Sequence, residues 1–206
     1  VDITERLATT GRQGINLAGQ NWYVLAGVIW DEGGELAEDS GGDWKGALDS
    51  PAALRGMDFY RTLQTLGSGP KDADEQSPPE TDAFAGGEVA QIISVPGSAA
   101  LIEQQNPELK GKLGYFPIPG KNAKKPGAVL TGGSDLIVPE GADQRGEGIE
   151  VVKALAGPAT PNSPYWPAVE ADNPIKPYMT AVLEGGDPAE EAKKASDRIT
   201  SKLISG

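Results

Sequence analysis

The sequence predicts an α/β protein of short strands and firmly punctuated helices, and three observations point there. Residues 81–105 run from a helical turn at Ala83-Phe84, through a β-prone apolar stretch at 89–94, to a Pro96-Gly97 helix start, an alternation that favours α/β layering. Two pairs, Ser50-Pro51 and Asp187-Pro188, open helices whose apolar residues recur every three or four positions. Gly and Pro, 28 and 17 of 206 residues, keep the elements short yet stay below the range of low-complexity disorder.

The first informative element is the stretch from Asn21 to Glu35, which sets Trp22, Tyr23 and Trp30 beside acids and the pair Gly33-Gly34. Read as plain structure, it is a buried aromatic strand ending in a turn. Read as chemistry, it suits a carbohydrate: a sugar offers a weakly polar C–H face to a ring and a rim of hydroxyls to carboxylates. Trp44, after Gly41-Gly42-Asp43, covers a turn.

Ser50 caps a helix over residues 51–66, with Pro51 in the position that needs no N–H donor. At about 100° per residue, Ala52, Ala53, Gly56, Met57, Phe59, Tyr60, Leu63 and Leu66 share its core half, with Leu54 and Gln64 as exceptions. Gly67 to Pro70 ends it, and the polar run 71–80 is an exposed connection.

After the strand at 89–94 and the helix reaching Gln105, a strand is expected at 113–118 and a solvated loop with Lys121, Lys124 and Lys125 at 121–126. Short strands at 129–131 and 136–138 flank Gly132-Gly133-Ser134, then a helix covers 146–156 and a Pro-rich connection covers 157–167. The tail carries helices at 175–183 and 188–203. In the second, Asp187 caps, Glu190 sits at the capping-box position, and Ala192, Ala195, Ile199 and Leu203 form the buried stripe.

Composition narrows the function classes. The net charge of −12 argues against a phosphate backbone as partner, so nucleic acid is not expected. With no Cys and no His, thiol nucleophiles, disulfides, imidazole bases and the commonest zinc ligands are gone. No acidic run has the spacing of a calcium loop, and neither a cofactor nor a dedicated metal is expected. No apolar run approaches the roughly 20 residues that cross a bilayer.

Taken in order, Ile29-Trp30-Asp31-Glu32-Gly33-Gly34-Glu35, the run from Leu48 to Leu54, Phe59-Tyr60, Ala83-Phe84-Ala85-Gly86-Gly87, Phe116-Pro117-Ile118-Pro119-Gly120, Gly132-Gly133-Ser134 and the closing Asp187-Pro188 helix resemble the extracellular solute-binding proteins of ABC sugar importers. The order carries more than any one motif. The resemblance implies a periplasmic-binding-protein-like fold of type II, in which two lobes close on a sugar and deliver it to a membrane permease without catalysis. It implies that residues 1–116 lie in the second lobe, that 117–160 cross the hinge and return to the first, and that 161–206 pack back on the second. Most of the first lobe would then come from a preceding segment, or another copy would complete the fold. An extracellular or periplasmic location with a lipidated N-terminus is implied as well.

Carried over by position, Trp22 and Tyr23 match the family's aromatic position, Trp30 and Glu32 flank the same turn, and Gly132, Gly133 and Ser134 match a glycine pair that approaches ligand. Tyr165 and Trp166 fall where a late aromatic contributes. Ser94-Val95-Pro96-Gly97-Ser98 lacks the aromatic many members place there, which argues against a long oligosaccharide footprint. Two other readings remain: a glycosidase pairing Glu32 with Asp135, and a non-catalytic protein-interaction module presenting its aromatic loops.

Overall fold

Helices carry the architecture in the computed structural model, which describes residues 1–9, 11–95, 97–122, 125–130, 138–155 and 166–204. In chain order they are α1 (Asp2–Ala8), α2 (Trp22–Asp31), α3 (Pro51–Gln64), α4 (Glu80–Ala85), α5 (Ser98–Gln105), α6 (Arg145–Leu155), α7 (Trp166–Asp172), α8 (Ile175–Leu183) and α9 (Pro188–Ile204). A hairpin of β1 (Ala37–Asp39) and β2 (Trp44–Gly46) sits between α2 and α3, with Ala37 opposite Gly46.

The largest departure from expectation is α2, because the aromatic stretch is helix and not strand. Its ends explain it. The Asn21 side chain accepts the Val24 N–H at 3.3 Å, and at the far end Gly33, with φ of +80°, turns the chain out of the helix. Gly33 N–H then reaches the Trp30 carbonyl at 3.0 Å and Gly34 N–H that of Ile29 at 2.9 Å, the bond pair of a glycine-terminated helix. A helix apolar on nearly every side shows no 3.6-residue period to read.

The helices expected near 51–66, 146–156, 175–183 and 188–203 form within a few residues of those bounds. Ser50 Oγ accepts the Ala53 N–H at 3.3 Å, and Asp187 Oδ1 accepts those of Ala189 and Glu190 at 3.0 and 2.9 Å. The α9 stripe of Ala192, Ala195, Ile199 and Leu203 is buried as expected, whereas the Glu190 carboxylate pairs with Lys194 at 2.9 Å. On α3 the buried arc runs from Leu63 to Met57 and takes in Gln64, whose amide donates to the Gly69 carbonyl at 2.7 Å. Phe59 falls about 40° outside that arc at 100° per residue and is 43% exposed, so it is not the core residue that its side of the helix suggested.

Strand pairing is sparser than predicted. Residues 89–94 lie extended beside 13–16, joined by isolated parallel bridges at Gln13–Val89 and Asn16–Ile92. Residues 113–118, expected as a strand, join no ladder among the described residues. Of the strands expected at 129–131 and 136–138, residues 129, 130 and 138 are described and join no strand, and the others lie outside the described residues. The hairpin, α1 and the start of α7 at Trp166 were not expected from the sequence.

Among the described residues one core joins α2, α3, α8 and α9 through Leu25, Ile29, Met57, Tyr60, Met179 and Ile199, all at 0% exposure, and takes in Val169 of α7 at 1%. Each such side chain contributes about 1.5–3 kcal/mol by leaving water. Gly56 lets α2 and α3 come together, since a Cβ there would stand 2.9 to 3.0 Å from Ile29 atoms. The tail closes on the hairpin: Gly46 N–H donates to Thr200 Oγ1 at 2.8 Å, and Asp49 N–H to Ser196 Oγ at 3.1 Å.

Candidate functional site

Helix α2 runs between two unlike polar clusters and carries most of the expected site residues that the structure describes. At its N-terminal end the Trp22 and Tyr23 rings meet at a centroid distance of 4.5 Å, tilted by 33°. Trp22 is 5% exposed and belongs to the core, whereas Tyr23 keeps 44% of its surface open. Tyr23, Gly27 and Trp30 recur at helical spacing on one face. Trp30 is partly buried against the core, and its indole N–H donates to Glu35 Oε2 at 3.2 Å.

Beneath the Trp22–Tyr23 step lies a buried polar group that sequence reading missed. Asn21 Nδ2 donates to Glu80 Oε1 at 3.2 Å, and the Tyr60 hydroxyl donates to the Ala18 carbonyl at 2.5 Å. Glu80 is 5% exposed, and burial pushes its carboxyl up to about 7, against the pull of the Asn21 donor and helped by the negative charge of Glu75. The signal was hidden because Glu80 closes a polar run that reads as solvent-exposed.

At the C-terminal end Glu32 Oε2 accepts from Arg55 Nε at 2.9 Å and from Lys121 Nζ at 2.7 Å. Arg55 Nη2 also reaches the Glu32 carbonyl at 3.3 Å. The Lys121 and Arg55 hydrogen bonds hold the Glu32 carboxyl below the usual carboxylate range. Asp31 joins them by accepting the backbone N–H of Lys121. Two acids at a helix C-terminus oppose the helix dipole, and the paired cations offset this.

Lys121 belongs to a closed loop over residues 118–127, tied by Gly127 N–H to the Ile118 carbonyl at 2.8 Å and Gly120 N–H to that of Lys125 at 3.0 Å. Two glycines permit close approach to α2: a Cβ on Gly27 would meet the carbonyl oxygen of Ala128, just past the loop, at 2.5 Å, and one on Gly120 would meet Asp31 Oδ1 at 3.1 Å. The cleft between them, about 380 Å³, is lined by Asp31, Gly120, Lys121, Asn122, Lys125 and Pro126. None of these lining residues is aromatic, so they offer no ring for a sugar face to stack on.

Of the other expected contacts, Trp166 is 3% exposed in the core beside Val169. Neither Trp22 nor Trp166 therefore presents a ring face to solvent in this structure. Gly132, Gly133, Ser134 and Tyr165, together with Asp135, lie outside the described residues. Among the described residues no helix is long and apolar enough to cross a membrane.

The family model for bacterial extracellular solute-binding proteins matches residues 2–160. The diacetylchitobiose binding protein DasA of Streptomyces coelicolor is 32% identical, over 94% of this chain and 55% of its own length, so the chain spans about half of that relative. Among solved structures, the sugar-binding protein MalE from Xanthomonas citri superposes with a TM-score of 0.73 at 16% identity, over 94% of this chain and 58% of that one. A cyclo/maltodextrin-binding protein complexed with maltotetraose gives 0.68 at 15% identity, over 99% and 63%. These two establish the type II periplasmic-binding-protein fold, and the family match with the 32% identical relative establishes kinship: this chain belongs to the bacterial extracellular solute-binding proteins.

Proposed function

We propose that this chain works as a carbohydrate receptor of an ABC importer, supplying one side of a cleft in which a sugar or oligosaccharide is held between two lobes and passed to membrane permease subunits. The observation that carries the reading is Tyr23, a 44% exposed ring backed by Trp22 and mounted on a helix anchored in the core. A ring that loses about 60 Å² of apolar surface to a sugar face contributes about 1.5 kcal/mol. Micromolar capture needs about 8 kcal/mol, so hydrogen bonds in a closed cleft must add to it. Gly132, Gly133 and Ser134, with Trp30 and Tyr165, are the proposed further contributors from this chain.

By the same reading residues 1–116 and 161–206 form the second lobe, and 117–160 cross to the first and return. A segment before Val1, or another copy, supplies the remainder. The receptor works outside the cytoplasmic membrane on a lipid anchor. The function is binding without bond cleavage. A glycosidase's general acid needs its carboxyl raised, whereas Arg55 and Lys121 draw that of Glu32 down, so Glu32 does not fit the acid role.

Titration calorimetry of the intact protein against diacetylchitobiose, maltotetraose, simple monosaccharides, amino acids and short peptides tests the reading. Heat of micromolar binding with at least one saccharide is expected. Silence with every saccharide beside clear binding of a peptide or amino acid would remove the substrate class.

A further inference from the structure

Glu32 looks by sequence like an acceptor for a sugar hydroxyl, yet one of its two carboxylate oxygens is occupied twice. Oε2 takes both the Arg55 Nε–H and the Lys121 Nζ–H, and the side chain keeps only 16% of its surface exposed. Asp31 is engaged as well, through the Lys121 backbone N–H. Both carboxylates thus point at one residue of the loop 118–127, and the bare Gly27 and Gly120 positions bring that loop onto α2. The next described residues, Ala128 and Val129, lie against α2 at Gly27, and Leu130 packs on the core.

The geometry points to a latch: Asp31 and Glu32, the latter also held by Arg55, grip Lys121 and so set how residues 118–122 and 125–130 sit against the helix that carries Tyr23. Resting on the receptor reading above, the inference makes Glu32 and Lys121 positioning residues, which govern sugar affinity through the seat of this segment and touch no sugar. Two features fit that role better than ligand contact. A sugar hydroxyl that displaced either cation from Oε2 would exchange a charge-assisted bond for a weaker one. The grip also joins three separate elements, α2, α3 and the loop, whereas a ligand contact needs only one.

The test uses the intact protein and the variants Glu32→Gln, Lys121→Met, the double variant and Lys121→Arg. Two measurements are made: saccharide affinity by calorimetry, and hydrogen exchange of the backbone amides of Gly120 and Lys121. The latch predicts faster exchange at both amides and about three- to tenfold weaker affinity in each single variant. It predicts a double variant no worse than either single and recovery in Lys121→Arg. If Glu32→Gln abolishes binding while Lys121→Met leaves it intact, Glu32 touches the ligand and the latch is overturned. Unchanged exchange in Glu32→Gln overturns it equally. A wild-type protein that binds no saccharide would sink the receptor reading alone, since the exchange measurement still decides the latch.

Discussion

The two ends of α2 treat the same chemical group in opposite ways. At the N-terminal end Glu80 is buried with one neutral donor, and its carboxyl is raised to about 7. At the C-terminal end Glu32 sits under two cations and its carboxyl is lowered. Burial dominates where water is excluded, and charge pairing dominates where solvent still reaches the partners, as at Arg55 and Lys121, whose side chains are 55% and 61% exposed. One end is therefore expensive to disturb and the other cheap, although both hold the same helix.

Changes on either side of that divide sharpen the contrast. The largest effect belongs to Trp22→Ala, which empties a core site and should lower unfolding free energy by about 3–5 kcal/mol in urea denaturation; a loss under 1 kcal/mol would show that the N-terminal end is not anchored by its core ring. Next comes Glu80→Gln, and its sign depends on pH. A carboxyl raised from 4.5 to about 7 favours the folded state while protonated, and that contribution is lost as pH rises from about 4.5 through 7. At pH 8 Glu80→Gln should therefore stabilise the protein by about 2–3 kcal/mol, and at pH 4 by nearly nothing. A gain equal at both pH values would contradict the assignment.

Smaller effects follow. Tyr23→Ala should leave the melting temperature nearly unchanged and weaken saccharide affinity about tenfold, the equivalent of about 1.5 kcal/mol of stacking. Equal affinity in the variant would move the platform elsewhere. Glu32→Gln should cost less than about 1 kcal/mol of stability at neutral pH, with the difference shrinking in 1 M salt. Its lowered carboxyl contributes stability above about pH 4.5, which is lost as pH falls through the folded-state value. A salt-independent loss of several kcal/mol would place this end with the buried one.

Much of the fold was legible because it follows from rules that act within a few residues. Ser50-Pro51 and Asp187-Pro188 announce helix starts by the donors they satisfy or lack, and the α9 stripe at helical spacing names its own buried face. Order among weak motifs was enough for kinship. The aromatic stretch was not legible in the same way: α2 is apolar on most sides, so a buried strand and a buried helix read alike. Gly33-Gly34 was noticed as a turn, but its work as a helix stop depended on the helix before it.

The candidate site divides along the same line. Residue type alone made Trp22, Tyr23, Trp30 and Glu32 candidates, since rings and carboxylates are what a sugar would require. Which ring faces water and which acid is already taken depended on partners far along the chain. Trp22 is sealed by a core built from α3, α7, α8 and α9, and Glu32 is claimed by Arg55 and Lys121, 23 and 89 residues away. Glu80 became a perturbed carboxyl only when Asn21, 59 residues before it, closed over it. Caps, stripes and turns are decided by neighbours in sequence; exposure, pairing and proton affinity are decided by neighbours in space, because desolvation and Coulomb energy depend on distance and not on the length of chain between.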